Sequence, residues 1–379
     1  MKRIAKLKVI GAGPTGCLTA IALAHNKYDV TLTDLLSEEQ LLKRDRVYAI
    51  THSSRRFFEK NHIWNDLNSI MKPFKRLIIE DSFLNNKITL DRNDLKKCNY
   101  SSKDLGWIID HKDLMGYLFE KIKRNQNIKL LLQSDLNDNF NSFDYYLAAD
   151  GVSSSSRKKW NIKRMRIPYN QSCITFKALL RSINTNVAYE ILRPDGPMAI
   201  LPINSDLYQI VLTAPSNKCH KLLSLSSADF LDKIAITLPP SIEIDCLYNQ
   251  PQCFPQELSI AYSLNRGNNF LIGESAHSIH PIGGQGLNLS IRDIGAIIEL
   301  LNNSREPNSF RLKEYTIFIL SRYIDILMIS FITDSLIRIF SNKSLLLIPF
   351  RRFAFTILNK SSFFRIIILS LMTDGAIFK

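Results

Sequence analysis

Three short stretches carry residue types and spacings from which chemistry can be argued. The first is Gly11-Ala12-Gly13-Pro14-Thr15-Gly16. An apolar strand (Leu7, Val9, Ile10) precedes it, and an alanine- and leucine-rich helical run, CLTAIALAHN, follows. This is G-x-G-x-x-G in the context it requires. The first glycine permits a tight turn, the second lets the backbone approach a pyrophosphate, and the third allows close helix–strand packing. A second strand over residues 28–33 ends at Asp34, whose carboxylate can accept hydrogen bonds from an adenosine ribose. The pattern predicts a dinucleotide site and does not separate NAD from FAD.

The second stretch is residues 268–293, NNFLIGESAHSIHPIGGQGLNLSIRD. It reads as a buried strand (Phe270, Leu271, Ile272), a tight turn at Gly273-Glu274, a loop stiffened by Pro281, and a helix opening near Gly286. Gly283, Gly284 and Gly286 let the backbone come close to something flat or anionic. The helix start after Gln285, with Leu287 and Asn288 in its first turn, offers free N–H groups and a positive dipole end. The third stretch runs Asp150-Gly151-Val152-Ser153-Ser154-Ser155-Ser156-Arg157. A strand delivers Asp150 to its C-terminal edge, where doubly wound sheets bind ligands. Arg157 is read as a fixed cation for phosphate, although an Asp-Gly turn with a serine-rich loop is common without any ligand.

The elements that must position these residues follow from periodicity. Residues 7–34 form a βαβ unit. Ser53 is the expected N-cap of a helix carrying Phe57, Phe58 and Ile63. Alternating strands over 74–110 (KRLIIED, NKITLD, LGWIID) suggest one arm of a sheet outside the parallel core. Residues 170–266 are dominated by alternating strands and predict an antiparallel sheet inserted between two halves of the nucleotide domain. Gly196-Pro197 and the apolar strand after it could shape a pocket wall. The helix after Gly286 is expected to turn Asp293 toward solvent or a partner. A long helical pattern covers 310–340, and the apolar runs beyond it (SLLLIPFRRFAFTIL, FFRIIILSLM) carry interspersed arginines.

Bulk composition narrows the classes. At 379 residues and 45% apolar content, two domains with a sizeable core are expected and disorder is not. The formal charge of +14 is scattered, with no aromatic-interleaved basic module, so nucleic acid is not the expected partner. Six cysteines stand singly (Cys17, Cys98, Cys173, Cys219, Cys246, Cys253), which fits reduced thiols and a cytoplasmic location. Gly11, Gly13, Pro14 and Gly16 break up the apolar core that a signal peptide would need. No uncharged apolar run approaches the ~18–20 residues that span a bilayer. The basic, aromatic-rich C-terminal segments could nonetheless lie on an anionic membrane as a peripheral contact, or pack against the body or a dimer partner. His277 and His280 form H-x-x-H without an evident third ligand, and no metal site is expected.

Taken together, the motifs resemble the FAD-dependent aromatic hydroxylases of the para-hydroxybenzoate hydroxylase type, most closely the ubiquinone-biosynthesis hydroxylases. The resemblance covers nearly the whole chain. Gly11, Gly13, Gly16 and Asp34 match the nucleotide fingerprint. Arg46 with Ala49-Ile50 resembles the family's flavin-contacting Arg-x-x-Ala-Leu. Asp150, Gly151, Ser154 and Arg157 match Asp-Gly-x-x-Ser-x-x-Arg. Residues 196–202, GPMAILP, resemble Gly-Pro-x-Ala-Leu-Leu-Pro, and Arg322-Tyr323-Ile324-Asp325 resembles the subfamily's Arg-x-x-Asp. Residues 273–288 match the flavin motif, with one departure: Glu274 stands where the family has Asp. It keeps the charge and adds a methylene.

The resemblance implies an α/β fold: a Rossmann-like FAD-binding domain of the glutathione-reductase type (1–76, 96–168, 267–309), an inserted antiparallel β-sheet substrate domain (77–95, 169–266) and a C-terminal helical region (310–379). It implies FAD as cofactor, NAD(P)H as electron donor, and oxygen transfer from a flavin C4a-hydroperoxide to an aromatic ring, expected to be a prenylated phenol or quinone precursor. No residue announces itself as the base that activates a phenol. Two other readings share the fingerprint: a flavin-dependent reductase or cyclase of isoprenoid lipids, and a non-catalytic flavin-binding subunit of a lipid-biosynthesis assembly.

Overall fold

The computed structural model describes residues 5–96, 102–134, 142–181, 184–303 and 310–375; Cys98 lies outside them. The strand Lys6–Ile10 is apolar at Leu7, Val9 and Ile10 and is buried on both faces, as parallel strands are. It pairs in parallel with Asp29–Thr33 on one side and Tyr145–Ala148 on the other. Ile128–Leu131 and Asn269–Leu271 extend this sheet at either end, also in parallel, and Asn265–Arg266 closes one edge antiparallel. The helix Pro14–His25 packs on the sheet through small and branched residues buried nearly all round. This is the layered α/β arrangement that the βαβ pattern predicts.

A second, nine-stranded sheet stands beside it. Its centre is the 18-residue strand Arg164–Arg181, paired antiparallel with Leu207–Pro215 and Gln252–Ala261. Gln171 to Pro215 and Leu179 to Leu207 mark the ends of the first register. Val187–Leu192 pairs in parallel with Arg76–Asp81, which pairs antiparallel with Asn86–Leu90, so the early strands join the sheet formed mostly by the later segment. The third alternating run does not join them. Gly106–Asp110 pairs with Val47–Ile50 and Lys72–Phe74 in a separate three-stranded sheet. Alternation fixes which face a strand buries, not which sheet it enters.

The helix Gln285–Asn303 lies against the first helix, and the helix Leu312–Phe340 lies against it in turn. Two shorter helices, Ile348–Lys360 and Ser362–Asp374, fold back on the strand Asn86–Leu90 and the helix Arg92–Lys96 respectively. Two local expectations fail. The helix His52–Lys60 has Thr51 as its N-cap, and Ser53 sits inside the first turn, bonded to Thr51 Oγ1 at 3.1 Å. Asp293 does not face solvent: it is 4% exposed and lies among ionic partners. A charged residue on an amphipathic helix reads as surface from sequence, because its partners lie far along the chain.

Candidate functional site

The three glycine stretches converge on one cavity of about 410 Å³. Gly11, Gly13, Pro14 and Thr15 line one wall, and Asp34 with Arg46 another. Asp150, Gly151, Glu274, Gly286 and Leu287 complete it. Parallel pairing explains the convergence. The strands Lys6–Ile10, Tyr145–Ala148 and Asn269–Leu271 lie side by side and release their loops from the same sheet edge.

The three fingerprint glycines have different causes. A Cβ at Gly16 would lie 1.7 Å from the Gly11 carbonyl oxygen, and one at Gly11, where φ is +100°, would lie 2.5 Å from the Ala149 carbonyl oxygen. These two are required by the fold itself. Gly13 is different. Its φ of −72° suits any residue, and a Cβ there would meet no atom of the described residues within 4 Å. Gly286 likewise faces open space in the cavity wall. Nothing in the protein demands glycine at these two positions, whereas a ligand drawn against the backbone would. Gly13 is also the N-cap of the helix Pro14–His25, with no side chain capping it, so the first-turn N–H groups remain for an anion.

Polar groups around the cavity fit a dinucleotide with hydroxyl-bearing linkers. Asp34 accepts from the Ala12 N–H at 2.6 Å and the Leu36 N–H at 2.8 Å, which ties the ribose-side carboxylate to the glycine loop. Asp150 Oδ2 accepts from the Ser156 N–H at 3.0 Å and the Ser155 hydroxyl at 3.3 Å. Its Oδ1 is buried without a partner among the described residues, an acceptor suited to a hydroxyl donor rather than to phosphate. Glu274 is exposed on the cavity wall. The Arg46 guanidinium stacks over the Phe254 ring at 5.1 Å, so the second sheet holds this cation at the cavity.

Other expected site residues serve the walls. Arg157 is buried; its guanidinium donates to the carbonyls of Ser275 at 2.8 Å and Val152 at 3.1 Å, stitching the Asp150 loop to the Gly273 turn. Burial lowers its pKa. Asn288 is fully buried: its Oδ1 accepts from the Thr51 N–H and the Ser54 hydroxyl, and its amide donates to the carbonyls of Ala49 and Gly284. It fastens the helix start to the strand Val47–Ile50. Gln285 is buried and donates to the Gly283 carbonyl at 3.0 Å. Gly273, with φ +60°, admits Ser290: a Cβ there would lie 2.7 Å from the Ser290 hydroxyl. Pro281 starts the short turn that carries Gly283 and Gly284. Arg157, Gly273, Pro281, Gly283, Gly284, Gln285 and Asn288 all lie off the cavity lining, as does Gly16.

Sequence reasoning missed Tyr48 and Arg44 on the cavity wall. Tyr48 donates its hydroxyl to His111 Nδ1 at 2.9 Å, because His111 Nε2 must carry the proton that the Leu41 carbonyl accepts at 2.7 Å. Burial pushes the Tyr48 pKa up to about 12, so it remains a neutral donor. The tyrosine two residues after Arg46 carried no separable signal. It also missed the network behind the Gly273 turn. Asp293 Oδ2 accepts from the Gly273 N–H at 2.9 Å and meets His277 Nε2 at 2.6 Å. Asp293 Oδ1 accepts from Arg322, which also reaches Asp325, itself paired with Arg292. The histidine of H-x-x-H is therefore engaged by a carboxylate. His280 has Nδ1 accepting from the Ile282 N–H at 3.2 Å and a pKa lowered by burial to about 3.

The chain is similar to several known proteins. Residues 134–314 match the family model described as FAD binding domain. The chain is 26% identical to the uncharacterized protein slr1300 of Synechocystis sp., covering 92% of this chain and 88% of that protein. It is 25% identical to the mitochondrial ubiquinone biosynthesis monooxygenase COQ6 of Mus musculus, over 78% and 75% of the two chains. It is 23% identical to the 3-demethoxyubiquinol 3-hydroxylase of Escherichia coli, over 79% and 80%. The p-nitrophenol 4-monooxygenase PnpA of Pseudomonas putida shares the fold with a TM-score of 0.79 at 14% identity, over 100% of both chains. Klebsiella pneumoniae HpxO complexed with FAD gives 0.73 at 14% identity, over 98% and 99%. Family match and fold together define a flavin-binding protein with the architecture of FAD-dependent monooxygenases. The chain carries a match to the FAD binding domain and is similar along most of its length to monooxygenases of ubiquinone biosynthesis.

Proposed function

We propose that the protein hydroxylates a prenylated phenol or quinone precursor, taking electrons from NAD(P)H. The observation that carries the reading is the cradle at Gly13 and Gly286, two cavity-lining positions where a Cβ would meet no atom of the described residues within 4 Å. The relatives named for ubiquinone biosynthesis support the substrate class. Bound FAD supplies the oxygen activation and transfer. The chain's own residues bind and orient it. Gly11 to Thr15 and the uncapped helix start hold the pyrophosphate, Asp34 the adenosine ribose, and Asp150 and Glu274 the hydroxylated linker. Gly286 and Leu287, at the start of the helix Gln285–Asn303, hold the ring edge that becomes negative on reduction. The sheet centred on Arg164–Arg181 reaches the site through Phe254, whose ring holds the Arg46 guanidinium at the cavity wall.

The C-terminal region supports contact with a lipid surface, where such a substrate resides. Ile317, Leu320, Ile324, Leu327 and Phe331 are exposed along one stripe of the helix Leu312–Phe340. That helix is long and apolar enough to cross a membrane. However, Arg322 and Asp325 on its other face are buried in the ionic network of the body, which favours a helix lying on the surface.

The decisive experiment gives purified, flavin-loaded protein NAD(P)H, 18O2 and a prenylated phenol. One 18O atom should enter the ring. Flavin reoxidation with no label in any candidate phenol would sink the hydroxylase assignment for these substrates.

A further inference from the structure

Glu190 sits within the strand Val187–Leu192, every residue of which is buried. Its backbone pairs with Ala199 on one side and Ile79 on the other, so apolar neighbours flank it in the sheet. The side chain leaves the sheet to reach the loop before the cofactor helix, where Oε2 accepts from the Gly283 N–H at 3.2 Å. That loop is conformationally demanding. Gly283 and Gly284 are successive left-handed residues, with φ of +71° and +62°. Met372 of the helix Ser362–Asp374 closes over Gly283, and the Ala49 side chain closes under Gly284. A buried carboxyl is costly and is retained where its hydrogen bond is needed. Here the bond joins the second sheet to the backbone just before the helix Gln285–Asn303, whose first turn lines the cavity.

We propose that Glu190 is a positioning residue: through the Gly283 amide it locks the loop 281–286 in the conformation that receives FAD. The proposal rests on the flavin reading given above. Burial pushes the Glu190 carboxyl up to about 7, partly offset by the Gly283 bond. The lock is therefore strongest in alkaline solution, where the ionised acceptor makes a charge-assisted bond, and weaker below neutrality.

The other ionisable groups on the elements packed around Glu190 are engaged elsewhere or face away from it. His280, on the same loop, is held neutral by burial across this range. On Arg76–Asp81, Asp81 Oδ1 is engaged by the Phe83 and Leu84 N–H groups, and Glu80 follows Ile79 on the opposite face of the strand. On the helix Ser362–Asp374, Asp374 is ion-paired with Arg56. The facing strand places Ala199 opposite Glu190.

The test compares wild type, Glu190→Gln and Glu190→Leu by amide hydrogen exchange of the 281–286 segment in the apo-protein, and by the visible spectrum of bound FAD between pH 5.5 and 8.5. In wild type, exchange corrected for its intrinsic pH dependence should slow, and the flavin band shift, with a midpoint near 7. Glu190→Gln keeps an acceptor without a titrating proton. It should bind FAD with affinity within about twofold of wild type and lose both transitions. Glu190→Leu should speed exchange at Gly283 roughly tenfold and weaken FAD binding by about the same factor. The proposal is overturned if Glu190→Gln retains the transitions, or if Glu190→Leu leaves exchange unchanged. If exchange responds as expected but no variant takes up FAD, the flavin reading fails and the lock stands.

Discussion

Arg322 Nε donates to Asp293 Oδ1 at 2.8 Å inside the protein, joining the long C-terminal helix to the helix that opens at the flavin site. Asp293 passes the connection on, because its second oxygen accepts the Gly273 N–H at 2.9 Å, next to the cavity residue Glu274. A residue 48 positions along the chain from that turn is thus part of its support, since Leu289 also offers its carbonyl to Arg322. Removing one partner of such a buried set leaves the others uncompensated, which costs about 3–5 kcal/mol. Arg322→Ala should lower stability by that amount and reduce flavin content, measured by urea unfolding and by the ratio of visible to protein absorbance. Unchanged unfolding would show that the network is not coupled to the fold.

Asp293 also sets an acid limit. Burial alone would raise its pKa, but His277, Arg322 and the Gly273 N–H hold it down to about 2. A depressed folded pKa gives stability that is present above the unfolded value near ~3.9 and lost as pH falls through about 2. Asp293→Asn should be less stable at neutral pH and should lose less further stability than wild type between these two values, measured by denaturant midpoints at each pH.

Gly13 and Gly16 separate ligand demands from fold demands. Gly13→Val places its Cβ in open cavity space, so the apo-protein should fold with a melting temperature close to wild type yet emerge colourless. Gly16→Ala drives a Cβ into the Gly11 carbonyl oxygen and should not yield soluble, folded protein. Retained flavin in the Gly13 variant would count against the placement of the pyrophosphate.

Glu274 is exposed, so neutralising it should leave stability within about 0.5 kcal/mol of wild type. Glu274→Gln should weaken FAD binding roughly tenfold, the loss of one charged hydrogen-bond acceptor, as read by quenching of flavin fluorescence. Equal affinity would remove Glu274 from the site.

Much of this site was legible in the sequence because its parts are local. A strand, a glycine turn and a helix announce themselves over fifteen residues, and parallel pairing brings three such turns to one edge. What was illegible depends on contacts distant in sequence. Asp293 read as a surface charge because its partner Arg322 is 29 positions away on another helix. Arg157 read as a phosphate ligand, yet it is engaged by a carbonyl 118 positions away. Tyr48 gave no sign of facing the cavity, since its orientation follows from His111, 63 positions later.

Glu190 gives an alkaline counterpart to Asp293. Its folded pKa, about 7, lies above the unfolded value, so the folded state holds its proton more tightly. The stability this contributes is full below the unfolded pKa and is lost as pH rises through about 7. Glu190→Gln has no proton to lose. Its melting temperature relative to wild type should rise between pH 5 and pH 8 in the apo-protein, where FAD binding cannot mask the difference. A constant offset across that range would mean that the carboxyl does not titrate in the folded state. The ionised lock on Gly283 would then already be complete at acid pH, and the flavin loop would be held equally at every pH at which the protein is folded.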